Sequence, residues 1–299
     1  MKRFFLFFLA IVCLAGCMHK EGKLYTSHCI NDVVAVESRY MDEVEYYTTG
    51  TYVSETWNWN GKELYRIDYR GDHPYSENLF YEGSRLSWTT IPAYGIRMDY
   101  FYDGRKLDRI EVSKDDEPLC RWSFFHDGTT LDKIVCHQFS QSAPLPSTNP
   151  LSCYLGNEVS SFLVAQCMAV ASERKEESDM TYNLLWADDE LKEIQCDVGD
   201  TVWSIKLSYD NKWNPYCQLW GYREMNDPIF GFDMVSRHNV VSIEMPYNGR
   251  QSQLFTFSYE YEDDYPVKRI LNYTYPSVNE TTWDSVDVRY QRIETIHYK

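Results

Sequence analysis

The chain has 299 residues, 43% of them hydrophobic and 16% aromatic, with a formal net charge of −16. That acidity repels phosphate backbones and no basic cluster interrupts it, which argues against a nucleic-acid partner. The length allows one large β domain or two smaller ones.

Lys2 and Arg3 precede an apolar run from Phe4 to Leu14. At about eleven residues the run is too short for a helix that spans a bilayer, which needs roughly twenty. The next residues, Leu14-Ala15-Gly16-Cys17, resemble the bacterial lipobox. The resemblance implies a lipoprotein signal peptide over 1–16 and a diacylglyceryl group on Cys17. The mature chain, having lost Lys2 and Arg3, would carry −18. The expected location is the cell envelope, at the outer membrane. The membrane is a partner through the lipid, which anchors a protein without spanning it, at about 0.8 kcal/mol per buried methylene. Residues 17–30 then read as a polar tether, and 31–299 as a single domain.

An internal repeat fills that domain. An aromatic strand leads to an acidic or glycine turn, then to an apolar residue followed three positions later by another. The copies are "WNWNGKELYRI", "LFYEGSRLSW", "YFYDGRKLDRI", "FFHDGTTLDKI", "LLWADDELKEI" and "YEYEDDYPVKRI". Weaker copies are "GNEVSSF", at Val159 and Phe162, and "HNVVSI", at Val240 and Ile243. Each unit predicts a β-hairpin of about 20–30 residues, because Asp-Gly suits a tight hairpin turn and aromatic residues suit the flanking strands. Leu and Ile three apart, as at Leu107 and Ile110, do not fit strict alternation. Either a bulge intervenes or the leucine packs under the turn.

Two stretches break the rhythm. "SQSAPLPSTNP", near 140–150, reads as a loop, and 214–239 reads as a long connection. Between them, "SSFLVAQCMAVASERKEE" at 160–177 offers a helix or a long strand from Phe162 to Ser172. Repeat-like units on both sides favour the strand.

The units resemble the YD repeats of RHS-type proteins, with "FYDGRKLDRI" the nearest copy. The chain resembles still more the Bacteroidetes envelope lipoproteins that carry such degenerate repeats behind a lipobox, on "SYDNKWNPY" (Tyr209, Asp210, Asn214, Pro215) and "YEYEDDYPVKRI". The resemblance covers most of 50–299. It implies an all-β fold, an antiparallel meander of hairpins in a rolled or spiralling sheet, and no particular activity.

Aromatic alternation supports that fold. Phe255, Phe257, Tyr259 and Tyr261 alternate with Thr256, Ser258, Glu260 and Glu262, as one buried and one wet face require. Trp57 and Trp59, then Ile205, Leu207 and Tyr209, then Val286, Val288 and Tyr290 repeat the pattern. Each large ring buries some 150–250 Å², about 25 cal/mol per Å². The rings are therefore expected in a core, with a stacking surface for glycans or peptides as the alternative.

Seven cysteines follow Cys17, an odd number in an export compartment that permits disulfides. Cys120 and Cys136 lie symmetrically about Gly128. A three-residue loop of Asp127, Gly128 and Thr129 would face them, and a two-residue loop would not. No metal or cofactor motif occurs, and no catalytic motif is recognisable. His126 beside Asp127 reads as part of a turn. Cys136 and His137 would point to opposite faces of one strand. The acidic pairs Asp188-Asp189 and Asp263-Asp264 read as turns and not as calcium ligands. The expected role is non-catalytic binding or scaffolding in the envelope, with a glycan, peptide or envelope protein as partner. The alternatives are a hydrolase such as a glycosidase using paired carboxylates, or a purely structural lipoprotein.

Overall fold

The computed structural model describes residues 30–298, apart from 42–43, 49–51, 62, 72–73, 84, 129, 140–147, 173–178, 189, 199–200, 215–235, 248–250 and 279–284. The signal segment, Cys17 and the tether up to residue 29 lie outside the described residues. So does most of the expected connection over 214–239. Ile30, assigned above to the tether, is already strand and is buried.

The chain runs through β1 (Ile30–Met41), β2 (Val44–Thr48), β3 (Tyr52–Asn60), β4 (Glu63–Tyr69), β5 (Tyr75–Glu82), β6 (Arg85–Ile91), β7 (Ile96–Asp103), β8 (Lys106–Lys114), β9 (Glu117–Asp127) and β10 (Thr130–Gln138). Helices α1 (Ser152–Leu155) and α2 (Asn157–Ser172) follow. Then come β11 (Met180–Ala187), β12 (Glu190–Val198), β13 (Thr201–Trp213), β14 (His238–Tyr247), β15 (Gln251–Glu262), β16 (Tyr265–Val278) and β17 (Ser285–Tyr298).

From β3 to β17 each strand pairs antiparallel with the next. β1 lies between β17 and β3, so the meander closes into a barrel of sixteen strands. β2 adds a short pairing to β1. The rolled sheet expected from the sequence is thus closed. Closure removes the free edges that an open meander would expose.

The repeat explains itself in the hairpins. In six of them the register slips at one place, setting Trp59 opposite Leu64, Tyr81 opposite Leu86, Tyr102 opposite Leu107, His126 opposite Leu131, Trp186 opposite Leu191 and Tyr261 opposite Pro266. A bulge adds one residue to one strand and so resets its facing. Leucine and isoleucine three apart can then both point inward: Leu64 and Ile67, Leu107 and Ile110, Leu131 and Ile134, and Leu191 and Ile194 are all buried. Of the two readings left open above, the bulge is the one that holds.

The bulged leucine also offers its carbonyl to the following hairpin. The Tyr81 hydroxyl donates to the Leu64 carbonyl at 2.8 Å and Tyr102 to Leu86 at 2.9 Å. Trp186 Nε1 donates to Leu131 at 2.7 Å, Tyr209 to Leu191 at 2.6 Å, and Tyr298 to Pro266 at 2.6 Å. Each ring therefore packs its face in the core and satisfies a carbonyl that the bulge took out of the ladder. The turns match. Gly104 takes φ +61°, and Asp263 and Asp264 take 48° and 70°, the left-handed pair that a tight hairpin turn requires.

The row Phe255 to Tyr261 faces inward as expected. Phe255 and Phe257 are buried and Tyr259 and Tyr261 half-buried, while Thr256, Ser258, Glu260 and Glu262 are exposed.

Sixteen strands enclose more space than their own side chains fill. A segment between β10 and β11 fills it. The expectation of a strand from Phe162 to Ser172, and of a repeat copy at Val159 and Phe162, is overturned: this stretch is helix α2. Thr148 to Leu155, the end of the stretch read as a loop plus α1, is completely buried. Cys153 lies close to Tyr100 on β7, whereas Phe162 meets the Phe255 ring on β15 at 5.7 Å. Those two strands lie on opposite sides of the ring, so the helical segment occupies the lumen. Tyr154 meets Trp186 near the bulged turns, at 6.1 Å, and Cys167 meets Cys196 toward the other rim. The helix therefore runs along the barrel.

Among the described residues no helix is long and apolar enough to cross a membrane. The strands present charge outward on most of the ring, as at Arg97, Asp99, Arg109, Glu111, Arg121, Lys206, Glu244 and Glu260. Several of these pair along the wall, Arg97 with Asp99 at 2.6 Å and Arg109 with Glu111 at 3.1 Å.

Candidate functional site

The rim over β12 to β15 gathers the polar groups best placed to meet a ligand. β13 pairs Tyr209 with Val240 and next Trp213 with His238, so residues 210–212 bulge out opposite Asn239. Asp and Asn side chains hydrogen-bond local backbone readily, and here they fill the gap. Asp210 Oδ1 accepts from the backbone nitrogens of Lys212 at 2.9 Å and Asn239 at 3.2 Å. Asn239 Nδ2 donates to the Lys212 and Trp213 carbonyls at 3.3 and 3.2 Å. The Tyr261 hydroxyl donates to Asp210 Oδ2. Burial first, and then the Asp210 carboxylate, push the Tyr261 phenol up.

Beside this, His238 Nδ1 lies 2.6 Å from Glu190 Oε1, and Lys192 Nζ lies 2.7 Å from Glu190 Oε2. Glu190 is buried and the His238 side chain is 27% exposed. With Nδ1 turned to the carboxylate, Nε2 is the ring nitrogen left to hydrogen-bond elsewhere. Trp213 stands 6.1 Å from the imidazole, with the Arg237 guanidinium 5.4 Å over its ring. The rim thus offers an oriented imidazole and an indole. Both carboxylates, Asp210 and Glu190, accept bonds within the chain.

A second polar centre sits inside the barrel at its closing seam. Arg269 Nε lies 2.5 Å from Glu294 Oε2, and Arg292 Nε lies 2.7 Å from Glu294 Oε1. Arg292 Nη1 reaches Glu37 on β1 at 2.7 Å and Glu158 on α2 at 2.8 Å. One guanidinium therefore ties the last strand, the first strand and the helix together. Burial alone would raise the Glu294 carboxyl, but Arg269 and Arg292 outweigh it and hold it down at about 2. About 240 Å³ of empty space, part of it continuous with solvent, lies among Gly156, Glu158, Phe257, Arg269, Arg292 and Glu294.

Glu77 is a third case. It is fully buried on the inner face of β5, and neither carboxylate oxygen has a hydrogen-bond partner among the described residues. Burial pushes its carboxyl up to about 8; the Thr89 hydroxyl lies close enough to oppose the shift without completing a bond.

The residues weighed in the sequence fall as follows. Cys17 lies outside the described residues. His126 occupies the bulged hairpin position opposite Leu131. Cys136 is buried and His137 exposed, on opposite faces as expected, with His137 Nδ1 2.6 Å from Asp179. Asp188, Asp263 and Asp264 are exposed turn residues at positive φ. Cys120 pairs with Gln138 and Cys136 with Trp122. The register slip between Leu131 and Lys133 returns the two cysteines to one face as diagonal neighbours, and their thiols, like those of Cys153, Cys167 and Cys196, are not joined in a disulfide. Among the described residues no group of three or more His, Cys, Asp or Glu side chains is placed to hold a metal ion.

Sequence reasoning missed the seam and Glu77, though a signal was present. Arg292 and Glu294 alternate in phase with Val288, Tyr290 and Ile296, and Glu77 with Leu79. Charge in phase with a buried face marks a buried charge. The rim had a partial signal in "SYDNKWNPY", whose Asp210 is its hub. His238 and Glu190 are 48 residues apart, and nothing local joins them.

No family model matches the chain, and no curated protein matches it. Among solved structures it is similar to a porin-like protein from Bacteroides vulgatus ATCC 8482, with 10% identity over 91% of this chain and 99% of that one, and a TM-score of 0.26. So low a score leaves the fold, and any reading of function, to rest on the geometry described above.

Proposed function

We propose that this chain is a lipid-anchored envelope protein whose barrel stands in water beside the outer membrane and serves in non-catalytic binding or scaffolding. The observation that carries the reading is the polarity of the wall. Arg97, Arg109, Arg121 and Lys206 point outward while the lumen is filled by Trp122, Tyr182, Leu155 and their neighbours. A membrane barrel has the reverse arrangement, and an arginine or lysine on its lipid face costs about 2–4 kcal/mol at mid-depth. Attachment then falls to the lipid on Cys17. The kinship suggested by the repeats, with YD-repeat envelope lipoproteins, belongs to the same proposal.

Binding is assigned to the rim around His238 and Trp213, where an indole and an imidazole stand together. A glycan, an extended peptide or another envelope protein suits that chemistry, through stacking and hydrogen bonding. A purely structural role is the outcome if none binds.

The test is fractionation of cells making the wild type and Cys17→Ala. The wild type is expected in the membrane fraction, extracted by detergent and resistant to high salt, and the variant in the soluble fraction. A variant that still needs detergent would overturn the anchored reading. Arrays of glycans, peptides and envelope proteins, with Trp213→Ala as control, test binding. Hydrolytic turnover traced to the purified chain would overturn the non-catalytic role.

A further inference from the structure

Cys167 and Cys196 meet across the lumen boundary. Cys167 is on α2 and Cys196 is on the inner face of β12, and their Sγ atoms lie 3.5 Å apart. Both side chains are fully buried. A disulfide requires about 2.05 Å between sulfurs. The gap to be closed is therefore about 1.5 Å, within reach of small side-chain rotations. Cys120 and Cys136 form a second buried pair, and the hydrogen bond to Cys120 is the main cause that pushes the Cys136 thiol up. They sit diagonally on neighbouring strands of the wall, whereas the Cys167–Cys196 contact joins the helix to the wall.

We propose that Cys167 and Cys196 form a native disulfide that fastens the lumen helix to the barrel wall. In this reaction the two thiols release two protons and two electrons. A new bond joins their sulfurs, and the S–S bond of a disulfide donor, an oxidised protein dithiol or a small-molecule disulfide, breaks to give two thiols. The bond is made before the helix is fully seated. In the folded chain the hydrogen bond to Cys167, together with burial, pushes the Cys196 thiol up, and thiolate is the attacking species. The same burial then shields the finished bond from reductants. The position fits the purpose: Arg292 and Glu158 hold one end of α2 and the Cys167–Cys196 contact holds a point further along. The proposal rests on export to an oxidising compartment, which the experiment separates from the pairing itself.

Two samples test it. The first is the envelope protein, isolated without reductant, unfolded in denaturant with an alkylating agent and digested. It is expected to yield a cross-linked peptide containing Cys167 and Cys196, two hydrogens lighter than the sum of its parts and released by reductant. The second is the reduced chain refolded in a buffer of reduced and oxidised glutathione, where the same peptide is expected. Recovery of both cysteines alkylated in both samples would overturn the pairing. Their recovery only in the envelope sample would overturn the bond as a native feature and count against export. Cys167→Ser provides a further reading. Reductant is expected to lower the Tm of the wild type and leave the variant unmoved, and equal responses would overturn the proposal.

Discussion

The Tyr102 hydroxyl donates to the Leu86 carbonyl at 2.9 Å, reaching from one hairpin to the bulge of the hairpin before it. The same reach recurs from Tyr81, Trp186, Tyr209 and Tyr298. These bonds make the repeat a repeat: each unit completes its predecessor. Tyr102→Phe should keep the ring's packing and strand the carbonyl. The expected loss is about 1–2 kcal/mol, read from urea unfolding. An unchanged midpoint would mean that water replaces the hydroxyl.

Glu294 compensates two guanidiniums in a buried place, so Glu294→Gln should be costly, about 3–5 kcal/mol. The pH dependence has a defined sign. The folded carboxyl is held at about 2, below its ordinary value of 4.5. Its contribution is full above the unfolded pKa and is lost as pH falls from about 4.5 through about 2. The wild type should therefore lose on the order of 3 kcal/mol more than the variant across that window, measured by denaturant titration at each pH.

Glu77 runs the opposite way. Its folded carboxyl is raised to about 8 from 4.5, so its contribution is complete below the unfolded pKa and is lost as pH rises through about 8. The Tyr75 and Tyr100 phenols share its surroundings and are themselves pushed up, mainly by burial. Glu77→Gln should unfold at a higher temperature than the wild type at pH 8 and flatten the pH profile between 5 and 8. The difference is on the order of a few kcal/mol. Parallel profiles would remove Glu77 as the cause.

Asp264 sits at φ 70°, a conformation that costs a residue with a Cβ roughly 1–2 kcal/mol and glycine almost nothing. Its bond to Lys212 is exposed, and exposed ion pairs contribute little. Asp264→Gly should therefore stabilise the protein by up to about 1 kcal/mol, seen as a rise in thermal midpoint.

Leu254 faces outward on β15 and is half exposed. In a water-facing wall, Leu254→Lys should change stability by less than about 0.5 kcal/mol. In a lipid-facing wall the same change would cost several times that. Denaturant unfolding of the purified variant separates the two.

The hairpins and their cores were legible because alternation, turn chemistry and the Leu–Ile spacing reported one fact several times. The Phe255 to Tyr261 row shows this most plainly: its parity survives intact in β15. The helix was illegible for a physical reason. Its buried side, Val159, Ser160, Leu163, Val164 and Cys167, includes a serine, while Phe162 and Ala165 stand on the other. The helix meets an apolar wall at Phe255 and Cys196 but a charged one at Arg292, and Ala165 is exposed, so polarity around it follows no single period. Closure was illegible because β1 and β17 meet through residues that nothing local connects. Glu37 and Arg292 are 255 positions apart. The rim pair His238 and Glu190 was hidden in the same way.

That seam has a bearing on how the molecule is made. A chain emerging from its N-terminus can pair β1 with β3 and zip hairpin to hairpin from there, but the other edge of β1 must wait for β17. Until then two strand edges and a greasy trough stay open, and the helix has free entry. A truncation that removed β17, Ser285–Tyr298, would leave a product that cannot seal. Cellular quality control should therefore treat loss of β17 as harshly as loss of an earlier strand.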